Sequence, residues 1–456
     1  MRPTDDDALL PEWMRGWIAS ARGRGDAGSS RSFFYVNMNN GNVNNNNANN
    51  QLRARPVRRA APASECQGEI SVRMLYDCMR AARRKKKPNG DQLKFELRWM
   101  ENLIGIQKAL NARTWHPGRS TSFIATQPKA RQIHAPGFGD MVVHHLVVPM
   151  VEAVYEPTFI HDSYANRRGK GTHAAVRRLG QFIRQVASGQ GGGWYLQLDI
   201  HNFFYSINRR ILWALLKQRL ERTGASDMTM HVVHALLAQH VEQRGVLHLE
   251  SAADLLLVPR HKRLENSAPD CGLPIGNLPS QFFANVYMDA FDQFVKHVLK
   301  AERYLRYVDD FVLVHRDRAQ LERWQVQIEQ FLAERLHLKL KADIRLRPLK
   351  AGCDFLGYVV FPTHVRVRPR VLKHAQEALA AWKLAHIRHD KAEATPEQLR
   401  QLGSCWASYQ GHMRHANSWQ LQQSILARQP WLETLTIRRR FSHQLEGRQL
   451  SIEVKS

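Results

Sequence analysis

The stretch Tyr304-Leu305-Arg306-Tyr307-Val308-Asp309-Asp310-Phe311-Val312-Leu313-Val314 constrains the fold more than any other part of the chain. Two arms rich in aromatic and β-branched residues flank two adjacent aspartates. The arms fit a β-hairpin, and neighbouring aspartates are poor strand-interior residues, so the pair is expected at the hairpin tip. A second element of this kind lies upstream. In Trp194 to Ile200, alternation buries Leu196 and Leu198 on one face and leaves Asp199 at the strand's exit.

Carboxylates crowded in this way repel one another unless cations neutralise them. Two Mg²⁺ ions held about 3.5–4 Å apart by such groups suit phosphoryl transfer. One would lower the pKa of an attacking hydroxyl, and the other would stabilise a triphosphate and its leaving pyrophosphate.

The overall charge agrees with an anionic partner. Lys and Arg number 66 against 41 Asp and Glu, a net +25 that repels itself unless a polyanion offsets it. Nucleic acid leads and an anionic membrane surface is the rival, but no apolar run approaches the roughly 20 residues needed to span a bilayer. The five scattered cysteines contain no C-x-x-C pair, which argues against a disulfide framework or zinc knuckle and fits a cytoplasmic location. Asp5, Asp6 and Asp7 open the chain where a signal peptide would carry basic residues.

Length and pattern divide the chain. Its 456 residues, 43% of them hydrophobic, suffice for two or three packed domains. Residues 1–65 include the nearly all-Asn stretch Asn37 to Asn50, which buries too little apolar area to offset the entropy of ordering, so a disordered segment is expected. A helix begins near Ile70 and ends at the basic run before Pro88-Asn89-Gly90; a second spans 91–112. Strands follow at Thr121–Thr126 and Gln132–Ala135, then helices at 140–154, 172–187, 209–221 and 227–242. A long helix covers Ser280–Lys300, and a helix at 317–336 precedes short strands at 337–347 and 354–368. The remainder reads as helical, with a capping box at Thr395-Pro396-Glu397-Gln398.

In order along residues 120–420, the chain resembles the reverse-transcriptase family. Lys129 to Pro136 and Ser163 to Thr172 resemble the two fingers motifs. Leu198 to Ile207 is similar to palm motif A, Gly272 to Gln281 to motif B, and Tyr307-Val308-Asp309-Asp310 to motif C, while Phe355-Leu356-Gly357 resembles the primer grip. The resemblance implies an α+β right-hand polymerase: fingers over 66–190 with a contribution from 220–270, an antiparallel-sheet palm over 191–360, and a helical thumb over 361–456. It implies catalysis by Asp199, Asp309 and Asp310 with two Mg²⁺ ions, held by these aspartates and the Ile200 carbonyl. Lys129, Arg131, Phe204, Ile275, Gly276, Gln281 and Tyr307 would form the nucleotide site, with Phe204 gating against the ribose 2′-hydroxyl. One departure stands out: Ile344 replaces the lysine usual after the 317–336 helix, with Lys341 and Arg345 nearby.

Motif B resembles a narrower group. Ile275 stands where most family members carry glutamine, and Leu273 to Leu278 with Ser280 to Asn285 is similar to the enzymes of diversity-generating retroelements. That likeness implies error-prone copying of RNA at template adenines, with dNTPs, primer or cDNA, and a small basic accessory protein. The alternative is an antiviral defence reverse transcriptase working with a structured non-coding RNA; a non-enzymatic nucleic-acid-binding protein is the remote one.

Overall fold

Buried apolar side chains gather into two clusters, one drawn from Ile70 to Val360 and the other from Val367 to Val454. The computed structural model describes residues 69–84, 87–126, 129–189, 192–241, 247–437 and 450–454, with the backbone of two short strands, β1 (Val36–Asn37) and β2 (Asn42–Val43). Apart from the antiparallel pairing of those two strands, the unfolded arm expected over 1–65 lies outside the described residues.

The first cluster begins with α1 (Val72–Arg83), whose Leu75, Met79 and Ala82 are buried. The single helix expected over 91–112 is two, α2 (Gly90–Leu97) and α3 (Trp99–Asn111), because Arg98 leaves helical geometry at φ −125°, ψ 37°. A hairpin of β3 (Ser120–Ala125) and β4 (Arg131–Pro136) follows. Next comes α4 (Phe138–Tyr155), a helix with buried residues around most of its circumference, as a helix inside a core requires. Then α5 (Thr172–Ala187) turns one apolar stripe inward.

From β5 (Trp194–Asp199) the chain passes through the short α6 (Phe203–Ser206) into α7 (Arg209–Arg222) and α8 (Asp227–Ala238). The loop-rich segment that follows carries β6 (Leu247–His248), which pairs in parallel with Thr121 and Ser122 and so extends the β3–β4 hairpin sheet. After the one-turn α9 (Ala252–Leu256) comes α10 (Leu278–Gln293). The helix expected to run to Lys300 instead opens into a π-helical turn at Phe294–Val298, where Phe294 stacks on Phe331 at 4.2 Å.

Four antiparallel strands form the central sheet. β7 (Tyr304–Tyr307) and β8 (Asp310–His315) make the hairpin, and with β9 (Arg345–Pro348) they give the order β7-β8-β5-β9. α11 (Arg318–Leu336) packs against it with Leu321, Trp324, Ile328 and Leu332 buried. The pattern at 337–347 yields a strand only at Arg345–Pro348, preceded by a single bridge from Leu340 to Ile200. A smaller sheet of β10 (Cys353–Phe355), β11 (Tyr358–Val360) and β12 (Val365–Val367) leads into the second cluster.

That cluster is built on α12 (Pro369–His386), α13 (Pro396–Met413), α14 (Trp419–Arg428) and α15 (Pro430–Ile437). The capping box at Thr395 and Gln398 forms as expected. It is not wholly helical, however: β13 (Ile387–Arg388), β14 (Lys391–Ala394) and β15 (Leu450–Glu453) make a three-stranded sheet. The architecture is α+β, with an antiparallel sheet at its centre. No helix among the described residues is long and apolar enough to cross a membrane.

One buried network fixes the hairpin. Arg306 is fully buried and pairs with the equally buried Asp292 of α10 at 2.6 Å. The guanidinium also donates to Asn285, Ser163 and the Val308 carbonyl. A buried guanidinium is tolerable only with its donors satisfied in this way, and stripping one partner typically costs about 3–5 kcal/mol.

Candidate active site

The β5–β8 register sets Asp199 opposite Asp310. The hairpin differs from expectation in one respect. Tyr307 pairs with Asp310, so the two-residue connection is Val308-Asp309, and Asp310 is the first rung of the ladder rather than part of the tip. Val308 takes φ +57°, a region β-branched residues avoid. The Arg306 guanidinium, 2.9 Å from the Val308 carbonyl, holds it there. The turn delivers Asp309 beside the strand exit, where its carbonyl accepts from the Ile200 amide at 3.2 Å.

The Asp199 carboxyl is the acidic neighbour that acts most strongly on the Asp309 carboxyl. Burial, and after it the Asp199 charge, push the Asp309 carboxyl up to about 7. Asp310 points elsewhere: its carboxylate accepts from Gln197 Nε2 at 3.1 Å, and burial pushes it up to about 8 against that hydrogen bond. The structure therefore gathers two of the three expected acids and sets the third behind them. Among the described residues no group of three or more His, Cys, Asp or Glu is arranged to hold a metal ion.

Lys341 completes the site. Its ammonium lies 2.5 Å from Asp199 Oδ2, and its amide donates to the Asp199 carbonyl at 2.8 Å. The other Asp199 oxygen, Oδ1, is buried without a hydrogen-bond partner. An unsatisfied carboxylate oxygen near a second carboxyl group is a donor set that fits a hard divalent cation.

Cations collect alongside. The Lys129 ammonium is held below its ordinary range by burial and by repulsion from Lys262, Arg370, Arg131 and Lys341. Two of these, Lys262 and Arg370, were not singled out in the sequence; one lies in the loop-rich segment and the other at the start of α12. Their signal is spatial, because no local pattern distinguishes them from other surface bases.

The loop from Gly272 to Asn277 is laced to both neighbours. The Leu273 amide donates to the Phe204 carbonyl at 2.8 Å, and the His134 amide of β4 donates to the Ile275 carbonyl at 2.8 Å. Gly276 takes φ +116° where the loop meets β4. Phe204 is half-buried, edge-on to Phe203 at 5.5 Å. Gln281, in the first turn of α10, is half-buried, and its carbonyl is 3.5 Å from Asn166 Nδ2. Tyr307, expected in the nucleotide site, is only 2% exposed, and its hydroxyl accepts from Thr172 at 3.3 Å. It packs into the core beneath the hairpin instead.

Phe355, Leu356 and Gly357 form the β10–β11 turn, with positive φ at Leu356 and Gly357. The turn is tied to the second cluster. The Gly357 carbonyl accepts from the Arg368 amide and from His412 Nε2, and Tyr358 stacks on His412 at 4.2 Å while its hydroxyl donates to the His412 carbonyl. His173 of α5 stacks on His415 at 3.6 Å in the same junction.

Residues 125–360 match the family model described as reverse transcriptase (RNA-dependent DNA polymerase). Protein YkfC of Escherichia coli (strain K12) is 22% identical over 275 residues, 53% of this chain and 66% of that protein. The group II intron-encoded protein LtrA of Lactococcus lactis subsp. cremoris is 21% identical over 301 residues, 57% of this chain and 49% of that protein. In neither case does the match reach two thirds of the relative's length. Among solved structures, apo telomerase from Candida Tropicalis, truncated from its C-terminal domain, overlaps with TM-score 0.42 at 10% identity, covering 55% of each chain.

Proposed function

The chain belongs to the reverse transcriptase (RNA-dependent DNA polymerase) family, and from that premise we propose that it copies template RNA into DNA by extending a primer with dNTPs. The observation that carries the reading is the gathering of Asp199 and Asp309 at the strand exit, where the Ile200 amide donates to the Asp309 carbonyl, with one buried Asp199 oxygen left unsatisfied. In this reading Asp199 and Asp309, with the Ile200 carbonyl, hold Mg²⁺, and Asp310 supports them through its place opposite Asp199. Mg²⁺ bound there supplies the Lewis acidity that activates a primer 3′-hydroxyl and neutralises a triphosphate.

The chain's own side chains do the rest. Lys129, Arg131, Lys262 and Arg370 bind and orient the triphosphate, where fixed positive charge counts most. The Phe204 ring fills the space a ribose 2′-hydroxyl would need, so deoxynucleotides are favoured. Ile275, Gly276 and Gln281 border the sugar, and the Phe355-Leu356-Gly357 turn steadies the primer. Residues 66–190, joined by 220–270, serve as fingers, 191–360 as palm and 361–456 as thumb.

The finer reading is an enzyme of a diversity-generating retroelement, error-prone at template adenines and helped by a small basic accessory protein. Ile275 supports it: the side chain that would otherwise be a glutamine cannot hydrogen-bond near the sugar. The His134 amide holds the Ile275 carbonyl, so the difference lies in the side chain alone.

Primer extension on a defined RNA template tests the activity. Wild type should incorporate dNTPs only with a divalent cation, and Asp309→Ala should lower the rate at least about a hundredfold. Undiminished extension by Asp309→Ala would overturn the assignment.

A further inference from the structure

We propose that Lys341 is an exchangeable counter-cation, whose ammonium holds Asp199 when no divalent ion is bound and must leave it before one can bind. The inference rests on the metal-binding reading above. The main chain anchors the residue, since its amide donates to the Asp199 carbonyl. The side chain is not so confined: it is 42% exposed, and Asp199 is its one ion-pair partner among the described residues. A flexible four-carbon stem on a fixed backbone can release its ammonium into solvent without moving β5.

The charges explain why the contact is provisional. Asp199 and Asp309 together can carry two negative charges, and one ammonium balances one of them. Asp199 Oδ1 stays unsatisfied beside the pair. A permanent structural ion pair would be expected to have both oxygens engaged, because an unmet buried acceptor is costly. Lys341 thus occupies Oδ2, an oxygen a divalent ion would use, and its charge also opposes the ion's approach. Both effects have the same sign, so removing the ammonium should tighten divalent binding.

The test is Mn²⁺ titration of the full chain without nucleotide, with free ion read by electron paramagnetic resonance. Wild type is compared with Lys341→Gln and with Lys339→Gln, which removes the same charge from an exposed neighbour. Lys341→Gln should bind Mn²⁺ about tenfold more tightly than Lys339→Gln, allowing for the partial exposure of the pair. Its melting temperature should fall in chelator and recover at saturating Mn²⁺. Equal affinities for the two variants, or weaker binding by Lys341→Gln, would overturn the proposal. A wild type with no saturable Mn²⁺ site sensitive to Asp309→Asn would overturn the metal reading itself, a distinguishable result.

Discussion

Gly276 approaches His134 so closely that a Cβ on the glycine would fall 3.0 Å from the His134 carbonyl oxygen and 2.8 Å from Ile133 Cγ2. Its φ of +116° is strained for any L side chain as well. β4 is poorly placed to give way, because the His134 amide is bonded to the Ile275 carbonyl. Gly276→Ala should therefore destabilise the protein by about 2 kcal/mol and raise the KM for dNTP. Urea unfolding and steady-state extension check it; unchanged values would mean that the loop relaxes freely.

Asp309→Asn should separate stability from activity. It removes one of two neighbouring like charges, and with it the cost of burying that charge. In chelator the variant should be more stable than wild type, by about 1 kcal/mol, while extension is lost. Calorimetry in chelator decides, and a lower melting temperature would count against the charge-crowding account.

The junction beneath the second cluster should be sensitive to acid. Burial, then the neighbouring His415, His412 and Arg177, push the His173 imidazole down to about 4, and His412 and His415 are lowered too. The sign follows from proton uptake. Between pH 4 and the unfolded value near 6.5, the unfolded chain binds a proton that the folded chain refuses, so stability falls as pH falls. Urea midpoints should drop between pH 7 and 5, and His173→Gln should flatten that slope. A slope equal to wild type's would exonerate His173.

Ile275→Gln tests the finer reading. Wild type should misincorporate more opposite template adenine than opposite other bases. The variant should lower that error without needing to raise overall rate. Sequencing cDNA copied from one RNA by both proteins is the measurement. Equal spectra would remove Ile275 from fidelity and favour an antiviral role.

What the sequence made legible was local. Strand alternation up to Asp199, the arms of the hairpin and the capping box at Thr395 each depend on residues a few positions apart. The relations it concealed are long-range. Asp310 joins the ladder because Arg306, neutralised by Asp292 of α10, holds Val308 in a backbone region it would otherwise avoid. Lys341 reaches Asp199 only through the chain's return beside β5, so its spacing in sequence pointed no more to it than to Arg345. β13 and β14 are two and four residues long, and β15, which pairs with β14, comes after another three helices, so neither carries a pattern that outweighs the helical surroundings.

The hydrogen bond from His134 to Ile275 has an evolutionary consequence. The strand that carries His134 begins at Arg131, among the cations proposed to grip the triphosphate, and the loop it holds carries the residue proposed to govern accuracy. A substitution that reshapes one is therefore felt by the other. On the proposed function, lineages of this protein could not tune how faithfully they copy without also altering how tightly they hold each incoming nucleotide, and drift in either trait should leave compensating changes along β4.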